Sequence, residues 1–253
     1  MYVACSTLGF TRLSLEDALR AIREMRFPKA DLAIHDAGPH LTPAEVAADP
    51  ARAATRLKAA NLPLAAFHVV IEAADPEEAK VRLRAVCRLA RVVTVPLLAV
   101  PAAALGADLD AEAKRLQCWA KVAAGEGVML TVETHSGAVT ADPHGAVELC
   151  RRVPGLGLAL DPSHYIAGPH GPVDYDAVFP HVRHVRLRDS GAKPDRFQVR
   201  VGQGDLEHGR VVAQLARYGY DRALSVDVRD APAGPFPVEP EIRKLKYLLE
   251  SLV

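Results

Sequence analysis

Cysteine pairs and aromatic residues are scarce in this sequence of 253 residues. The four cysteines lie far apart and form no CxxC pair; they are Cys5, Cys87, Cys118 and Cys150. A zinc-ribbon site needs paired cysteines, and disulfide frameworks are typical of short secreted chains rich in them. We therefore predict four reduced thiols. Because aromatic residues make up only 5% of the chain, small and branched aliphatic side chains are expected to fill the core.

An excess of charge of either sign is also missing. Lys and Arg together number 31, as do Asp and Glu, so the formal net charge is zero. Proteins that bind nucleic acids usually carry a basic excess that displaces counterions from phosphates. The sequence therefore predicts a small-molecule ligand and no nucleic-acid partner.

Long apolar runs are absent as well. No stretch reaches the roughly 20 uninterrupted apolar residues that span a bilayer. The first ten residues, MYVACSTLGF, lack the charged region and long apolar run of a secretory leader. We therefore predict a cytoplasmic protein without a membrane partner.

Short β-branched or aliphatic runs alternate with longer helical patterns along the whole chain. This alternation predicts parallel strands joined by crossover helices, and eight such units in about 250 residues are typical of a (β/α)8 barrel. The sequence therefore predicts an α/β fold, a single (β/α)8 TIM barrel over residues 1–253. The predicted strands are Val3–Thr7, Ala30–His35, Leu64–Val70, Val92–Val100, Val128–Glu133, Gly155–Asp161, Val182–Asp189 and Ala223–Val228.

Segments rich in Ala, Leu, Glu, Arg and Lys predict helices between these strands. Helix starts are indicated where proline occupies the first helical position and an acidic residue the first turn, as at Thr42–Glu45 and Asp75–Glu78. Gly168–Pro172 interrupts the sixth helix and leaves only its second part. The predicted helices include Leu15–Met25, Glu45–Ala60, Pro76–Ala90, Ala111–Ala124 and Val173–Phe179.

Three acidic residues share the inner face of the predicted barrel. Strand side chains alternate between the barrel interior and the helical shell, and bulky aliphatic residues alternate with Glu133, Asp161 and Asp227. These acids therefore point inward near the C-terminal ends of their strands, where the active sites of this fold lie. The same alternation directs His184, Arg186 and Arg188 inward. Since buried carboxylates are costly unless paired or bound to a cation, the sequence predicts positive charge there, from a metal, from Arg186, or from both.

Four histidines fall at or just after predicted strand ends. They are His35, His68, His135 and His164. A single histidine is more often structural than functional, but four around one rim favour at least one functional role. The residues alone do not indicate which histidine has it.

The most specific motifs lie between Val128 and Val228. They are Val132–Gly137, Leu160–His164, His184–Asp189, Gly202–Asp205 and Tyr218–Asp227. On these residues the chain resembles the xylose isomerase-like TIM barrels, a group with sugar phosphate isomerases and epimerases, ketose epimerases, inosose dehydratases and zinc-dependent AP endonucleases. Before Val128 only the strand–helix rhythm and His68 agree with that family.

The resemblance implies a divalent metal, held by Glu, Asp, His and Glu at the ends of the fifth to eighth strands. Glu133 and Asp161 keep two of these positions, whereas Arg186 replaces the histidine and Asp227 replaces the second glutamate. Arginine has no lone pair to donate to a metal, and aspartate is one methylene shorter than glutamate. Whether Mn, Mg or Zn is retained stays open. If it is, Glu133, Asp161 and Asp227 would be its ligands; otherwise the guanidinium group replaces its charge.

The resemblance also implies roles in catalysis and substrate binding. Glu133 and Asp227 would move a proton on a carbon beside a carbonyl group, and His164 would be the third catalytic residue. The residues expected to bind substrate are His68, His135, Arg186 and Gln198.

Three functions remain open on this sequence. The resemblance favours a sugar or sugar phosphate isomerase or epimerase with a carbohydrate-like substrate. The two departures favour a metal-free, non-catalytic barrel that binds a small ligand through an arginine–carboxylate cluster. An AP endonuclease has least support, because Val95–Val100 offers no histidine at the end of the fourth strand. The sequence fixes neither the substrate nor whether the chain forms homo-oligomers.

Overall fold

Eight parallel strands close into a barrel in the order in which they occur along the chain, which confirms the predicted (β/α)8 fold. Each strand pairs with the next, and the eighth pairs with the first. The computed structural model describes residues 1–168, 171–230, 234 and 236–253. The strands are β1 (Tyr2–Ser6), β2 (Ala30–His35), β3 (Leu64–Val70), β4 (Leu97–Val100), β5 (Met129–Glu133), β6 (Gly157–Leu160), β7 (Val182–Leu187) and β8 (Ala223–Val226).

Helices connect the strands, and the last helix packs against β1 and β8. Short 3-10 helices stand at Thr7–Phe10, Val139–Ala141, Asp176–His181 and Pro194–Arg196. The α-helices are α1 (Leu15–Glu24), α2 (Pro43–Ala48), α3 (Pro50–Ala59), α4 (Pro76–Val92), α5 (Leu109–Gly125), α6 (Pro143–Arg152), α7 (Ser163–Ile166), α8 (His208–Arg217) and α9 (Val238–Glu250).

Side-chain caps determine where several helices begin. At the start of α2, Thr42 Oγ1 accepts a hydrogen bond from the Glu45 N–H at 3.1 Å, and the Glu45 carboxylate accepts one from the Thr42 N–H at 2.8 Å. This reciprocal pair is a capping box. Asp75 caps α4 in the predicted place by accepting from the Glu77 N–H.

Two predicted elements differ clearly from the structure in their bounds. The fourth strand begins at Leu97 because α4 continues to Val92, after which the chain turns through Thr94 at a positive φ of 59°. The predicted helix Glu45–Ala60 is divided between α2 and α3 at Asp49. This division arises because Pro50 has no N–H to donate and disfavours helical geometry in the residue before it.

The connection between β6 and β7 also differs from the prediction. It contains the single-turn helix α7 and, in place of the predicted helix Val173–Phe179, a 3-10 helix at Asp176–His181. Part of the predicted interruption, residues 169 and 170, lies outside the described residues. A proline at position 180 inside the second segment is consistent with 3-10 rather than α-helical geometry.

The barrel interior is apolar near the N-terminal ends of the strands and charged near their C-terminal ends. Ala4, Ala65 and Ala223 form a small buried cluster at the first of these ends. As the alternation predicts, the bulky aliphatic residues of β5–β8 belong instead to the main core, which they share with helix residues such as Leu83 and Leu116. Among the described residues, none of the helices has both the length and the apolar character needed to cross a membrane.

Candidate active site

Acidic and basic side chains alternate around the C-terminal mouth of the barrel. Glu133 is the last residue of β5, and Asp161 and Asp227 directly follow β6 and β8. Arg186 lies within β7, and Arg188 directly follows it. We call the following group the arginine–carboxylate cluster: Glu133, Asp161, Asp227, Arg186, Arg188 and Arg229.

Arg186 joins two of the acids. Its Nη1 donates to Glu133 Oε1 at 2.7 Å, and its Nη2 donates to Asp227 Oδ1 at 3.0 Å. Deeper in the barrel, its Nε lies 3.8 Å from Asp31 Oδ2. Burial alone would lower the pKa of Arg186, but the surrounding carboxylates, Asp227 foremost, raise it. With only 2% of the side chain exposed, Arg186 is a permanent buried cation.

Asp227 has no exposed surface and accepts hydrogen bonds from three arginines. Its Oδ1 accepts from Arg186, while its Oδ2 accepts from Arg188 and, at 3.2 Å, from Arg229 Nε. Arg188 Nη2 also lies 2.8 Å from Asp161 Oδ2, which brings the third acid into the cluster. Burial alone would raise the pKa of Asp227, but the three guanidinium groups hold it well below its ordinary value. Asp227 is therefore ionised and is the common hydrogen-bond acceptor of the three arginines.

Two histidines form a line of contacts that begins at Glu133. His68 Nε2 lies 2.7 Å from Glu133 Oε1, and His68 Nδ1 lies 3.0 Å from His35 Nε2. Burial and the charge of Arg186 lower the pKa of His68. Burial, followed by His68 and Arg186, lowers the pKa of His35 to about 3. Burial would raise the pKa of Glu133, but His68 and Arg186 hold it well below its ordinary value. Near pH 7, Glu133 is a carboxylate beside two neutral imidazoles.

A second pair of histidines lies beside Asp161. His164 Nδ1 lies 3.1 Å from Ser136 Oγ, and His164 Nε2 lies 3.7 Å from Asp161 Oδ2. The rings of His135 and Phe197 flank His164, with centroids at 4.1 Å and 4.6 Å. Burial lowers the pKa of His164 to about 4, so this ring is also neutral near pH 7.

Gln198 positions Arg229. The Gln198 Nε2 donates to the Arg229 carbonyl at 2.9 Å, and its Oε1 accepts from the Arg229 N–H at 2.7 Å. Both ends of the amide are used by the main chain, so the predicted substrate contact of Gln198 would require these bonds to break. The Arg229 side chain, in contrast, is 41% exposed.

The connection after β7 is held against the barrel by a buried carboxylate. Asp189 accepts from the main-chain N–H groups of Ser190 at 2.9 Å, Gly202 at 2.7 Å and Gly204 at 3.2 Å. The Ser190 hydroxyl donates to the Phe197 carbonyl at 2.6 Å. These bonds place the Phe197 ring over the guanidinium of Arg188 at 4.8 Å.

The carboxylates do not fit the divalent metal that the resemblance implies. Arg186 lies between Glu133 and Asp227, and Arg188 lies between Asp161 and Asp227. Across the described residues, no three His, Cys, Asp or Glu side chains are grouped so that they could hold a metal ion. The predicted ligand set of Glu133, Asp161 and Asp227 is therefore not assembled around a common point, because guanidinium groups separate its members.

Sequence reasoning missed two residues of the site, Asp31 and Arg229. Below Arg186, His184 Nε2 lies 2.8 Å from Asp31 Oδ2, and both side chains are 1% exposed. Asp31 has the same strand parity as His35, a signal that could have found it. Arg229 likewise has the parity of Asp227, but it follows the strand end, where alternation alone is a weak guide.

Comparison with known families gives a match over most of the chain. The family described as xylose isomerase-like TIM barrel matches residues 14–250. A search of curated proteins gives no match.

Solved structures share the fold at low sequence identity. A 3-keto-D-glucoside 4-epimerase from E. coli is 14% identical over 99% of both chains, with a TM-score of 0.74. A D-tagatose 3-epimerase-like protein is 19% identical over 100% of this chain and 98% of its own, with a TM-score of 0.74. A xylose isomerase-like TIM barrel protein from Mycobacterium smegmatis, solved in complex with magnesium, is 16% identical over 100% and 98%, with a TM-score of 0.76. Identities this low show the common fold alone.

Proposed function

Because the chain belongs to the xylose isomerase-like TIM barrel family, we propose that it is an isomerase or epimerase that moves a proton on a carbohydrate-like substrate. The observation that carries this proposal is the state of Glu133, an ionised carboxylate at the mouth with 14% of its side chain exposed. Its Oε1 contacts Arg186 and His68, whereas no described residue donates a hydrogen bond to its Oε2. Similar folds in proteins described as a 3-keto-D-glucoside 4-epimerase and a D-tagatose 3-epimerase-like protein support the substrate class.

In the proposed reaction, Glu133 Oε2 removes a proton from a carbon beside a carbonyl group. The electron pair of the broken C–H bond moves into the C–C bond, and the carbonyl oxygen becomes an enediolate oxyanion. The proton then returns to the opposite face of the same carbon in an epimerisation, which restores the carbonyl group. In an isomerisation it returns to the neighbouring carbon, and the hydroxyl proton on the first carbon moves to the former carbonyl oxygen, so that the carbonyl group changes place. No cofactor accepts electrons, because the reaction is internally balanced.

Arg229 is the cation that we place on the developing oxyanion. Its Nε contacts Asp227, and its Nη1 and Nη2 make no hydrogen bond within the part of the chain that the structure describes. Its charge contributes to lowering the pKa of His35, His68, His135 and His164, so its field extends across the mouth. Stabilising the oxyanion matters here because the low pKa of Glu133 makes it a weak base.

Asp227 and Arg186 take supporting roles in this proposal rather than the substrate contacts expected from sequence. Asp227 has no exposed surface, and both Nη atoms of Arg186 are bound to carboxylates. Their proposed task is to fix Glu133 and Arg229. His164 remains the second catalytic residue, a neutral imidazole held by Ser136 that can carry the proton to the opposite face. His135, beside His164, remains a proposed substrate contact, whereas a substrate contact of His68 would require its contact with Glu133 or His35 to break.

Deuterium exchange tests the proposal. The chain is incubated in D2O with a panel of ketoses and ketose phosphates, and NMR follows deuterium entering the carbon beside the carbonyl group. We expect exchange into at least one sugar, its loss in Glu133→Gln, and a large loss in Arg229→Gln. Arg56→Ala, which changes an exposed pair between α1 and α3, is the matched control and should retain exchange.

The second candidate function is ligand binding without catalysis. It is favoured by the pairing of every acid in the cluster with a guanidinium group. Binding of a panel sugar, seen as broadening of its NMR signals, with no deuterium entering any member would overturn the catalytic proposal in favour of this one.

A further inference from the structure

Arg186 is surrounded by carboxylates in the way that a bound metal ion usually is. The guanidinium group lies among three acids: Glu133 at the end of β5, Asp227 directly after β8 and Asp31 in β2. Its two Nη atoms bind one oxygen from each of the first two. A planar guanidinium with several fixed donors suits such binding, because each N–H can point at a separate carboxylate oxygen.

The formal charges of the cluster balance without an ion. The acids Glu133, Asp161 and Asp227 contribute three negative charges, and three arginines contribute three positive ones. The deeper Asp31 has its own partner in His184 at 2.8 Å. A divalent cation added to this set would lie beside buried positive charge, and Glu133 Oε1 and both Asp227 oxygens already accept hydrogen bonds from arginines.

From these observations we infer that Arg186 replaces a divalent metal as the central cation of the site, and that the guanidinium group is what excludes metal from it. The inference goes beyond the proposed activity and holds for a catalytic or a non-catalytic barrel. Because Arg186 is part of β7, its charge cannot dissociate, and the site is independent of metal supply and of chelators.

Removal of the guanidinium should open the site to metal. In Arg186→His, Glu133 Oε1 and Asp227 Oδ1 lose their donor, and an imidazole nitrogen becomes available beside them. Neutral imidazole and carboxylate groups are ligands for Mn²⁺ and Zn²⁺. Asp227→Glu added to this variant extends the third ligand by one methylene toward the others. Arg186→Lys is the matched control, because it keeps the positive charge and offers no lone pair while protonated.

The test is a Mn²⁺ titration of the whole chain without substrate, in which electron paramagnetic resonance reports free Mn²⁺. We expect the wild type and Arg186→Lys to leave the free signal unchanged. Arg186→His, alone or with Asp227→Glu, should bind one equivalent of Mn²⁺ per chain, seen as a loss of the free signal. Combining Arg186→His with Glu133→Gln should abolish this binding. Mn²⁺ should also raise the Tm of Arg186→His and leave that of the wild type unchanged, since a ligand stabilises only the state that binds it.

Two results would overturn the inference. One is stoichiometric Mn²⁺ binding by the wild type that Glu133→Gln abolishes; the other is a folded Arg186→His variant that leaves free Mn²⁺ unchanged. If Arg186→His does not fold, Arg186→Gln serves the same measurement, because it removes the charge and keeps a hydrogen-bond donor. The absence of deuterium exchange would contradict the proposed activity but not this inference, since no substrate is present in the titration.

Discussion

Two arginine–glutamate pairs in this barrel have the same length in very different surroundings. Arg186 Nη1 lies 2.7 Å from Glu133 Oε1 at the mouth, and Arg56 Nε lies 2.7 Å from Glu16 Oε1 between α3 and α1. The exposed fractions of the two side chains are 2% and 14% in the first pair, but 30% and 52% in the second. Distance alone therefore says little about what each pair contributes.

The difference lies in what replaces a lost partner. At the surface, water solvates a released charge, and the net contribution of such a pair is small. In the barrel, a released charge stays out of water next to the other charges of the cluster, so breaking the pair is costly even where forming it gains little. The cluster is thus a site where single substitutions should have large effects, while the helix pair should tolerate them.

The largest effect is expected from Asp227→Ala. This change leaves three guanidinium groups, those of Arg186, Arg188 and Arg229, without their common acceptor. We expect a loss of about 3–5 kcal/mol in the free energy of unfolding, the range for an uncompensated buried charge. Urea unfolding followed by circular dichroism measures it, and Asp227→Asn, which keeps one oxygen acceptor, should lose less. A loss as small as that of an exposed pair would contradict the comparison.

The next effect is the loss of stability in acid. The pKa values of His35 and His164 are lowered from 6.5 to about 3 and about 4 by burial, so between these values the unfolded chain binds protons that the folded chain does not. Stability is therefore complete above pH 6.5 and falls as the pH drops. Glu133 and Asp227, whose pKa values are also held low, extend this fall below pH 4.5.

Urea midpoints measured at a series of pH values check this prediction. His35→Asn should flatten the slope between pH 6.5 and pH 4, and Asp227→Asn should flatten it only at lower pH. A midpoint that stays constant from pH 7 to pH 4 would show that the buried histidines are not neutral in the folded state.

A smaller effect is expected from Gly204→Ala in the connection after β7. A Cβ at this position would lie 2.6 Å from the Ser190 carbonyl oxygen and closer still to Oδ1 of Asp189, the side chain whose Oδ2 accepts from the Gly204 N–H. Overpacking of this kind typically loses about 1–3 kcal/mol. Chemical unfolding measures the loss. Gly209→Ala, in α8 with its nearest atom at 3.9 Å, is the control and should gain stability or leave it unchanged.

The smallest effect belongs to Arg56→Ala. Its pair with Glu16 is exposed, and we expect a loss of less than about 1 kcal/mol. The loss should shrink further when unfolding is measured at high salt, because ions screen exposed charges. The loss from Asp227→Ala should change little with salt. Equal salt dependence of the two variants would remove the distinction between the two regions.

The fold was predictable because the alternation of apolar and polar residues follows directly from strand geometry. Alternation in β5–β8 places aliphatic residues in the outer core and Glu133, Asp161 and Arg186 inside, as the structure has them. The start of the fourth strand was not predictable, because the valines at positions 92 and 93 favour a strand locally while the helix before them continues.

The connections at the mouth were harder to predict than the strands. The sequence shows that Arg186 has no lone pair for a metal, but not that its two Nη atoms reach different acids. Gln198 and Arg229 lie in connections without a periodic pattern, and the two hydrogen bonds between them depend on how two distant loops meet. A contact of that kind leaves no local signal in sequence.

The bonds between Gln198 and Arg229 also bear on how such a barrel can be redesigned. They make the position of Arg229, an exposed cation in the connection after β8, depend on Gln198 in the connection after β7. A graft of residues 189–207 into a related scaffold would carry Gln198 without the Arg229 main chain that it binds. The two connections would therefore have to be transferred together to keep the cation in place.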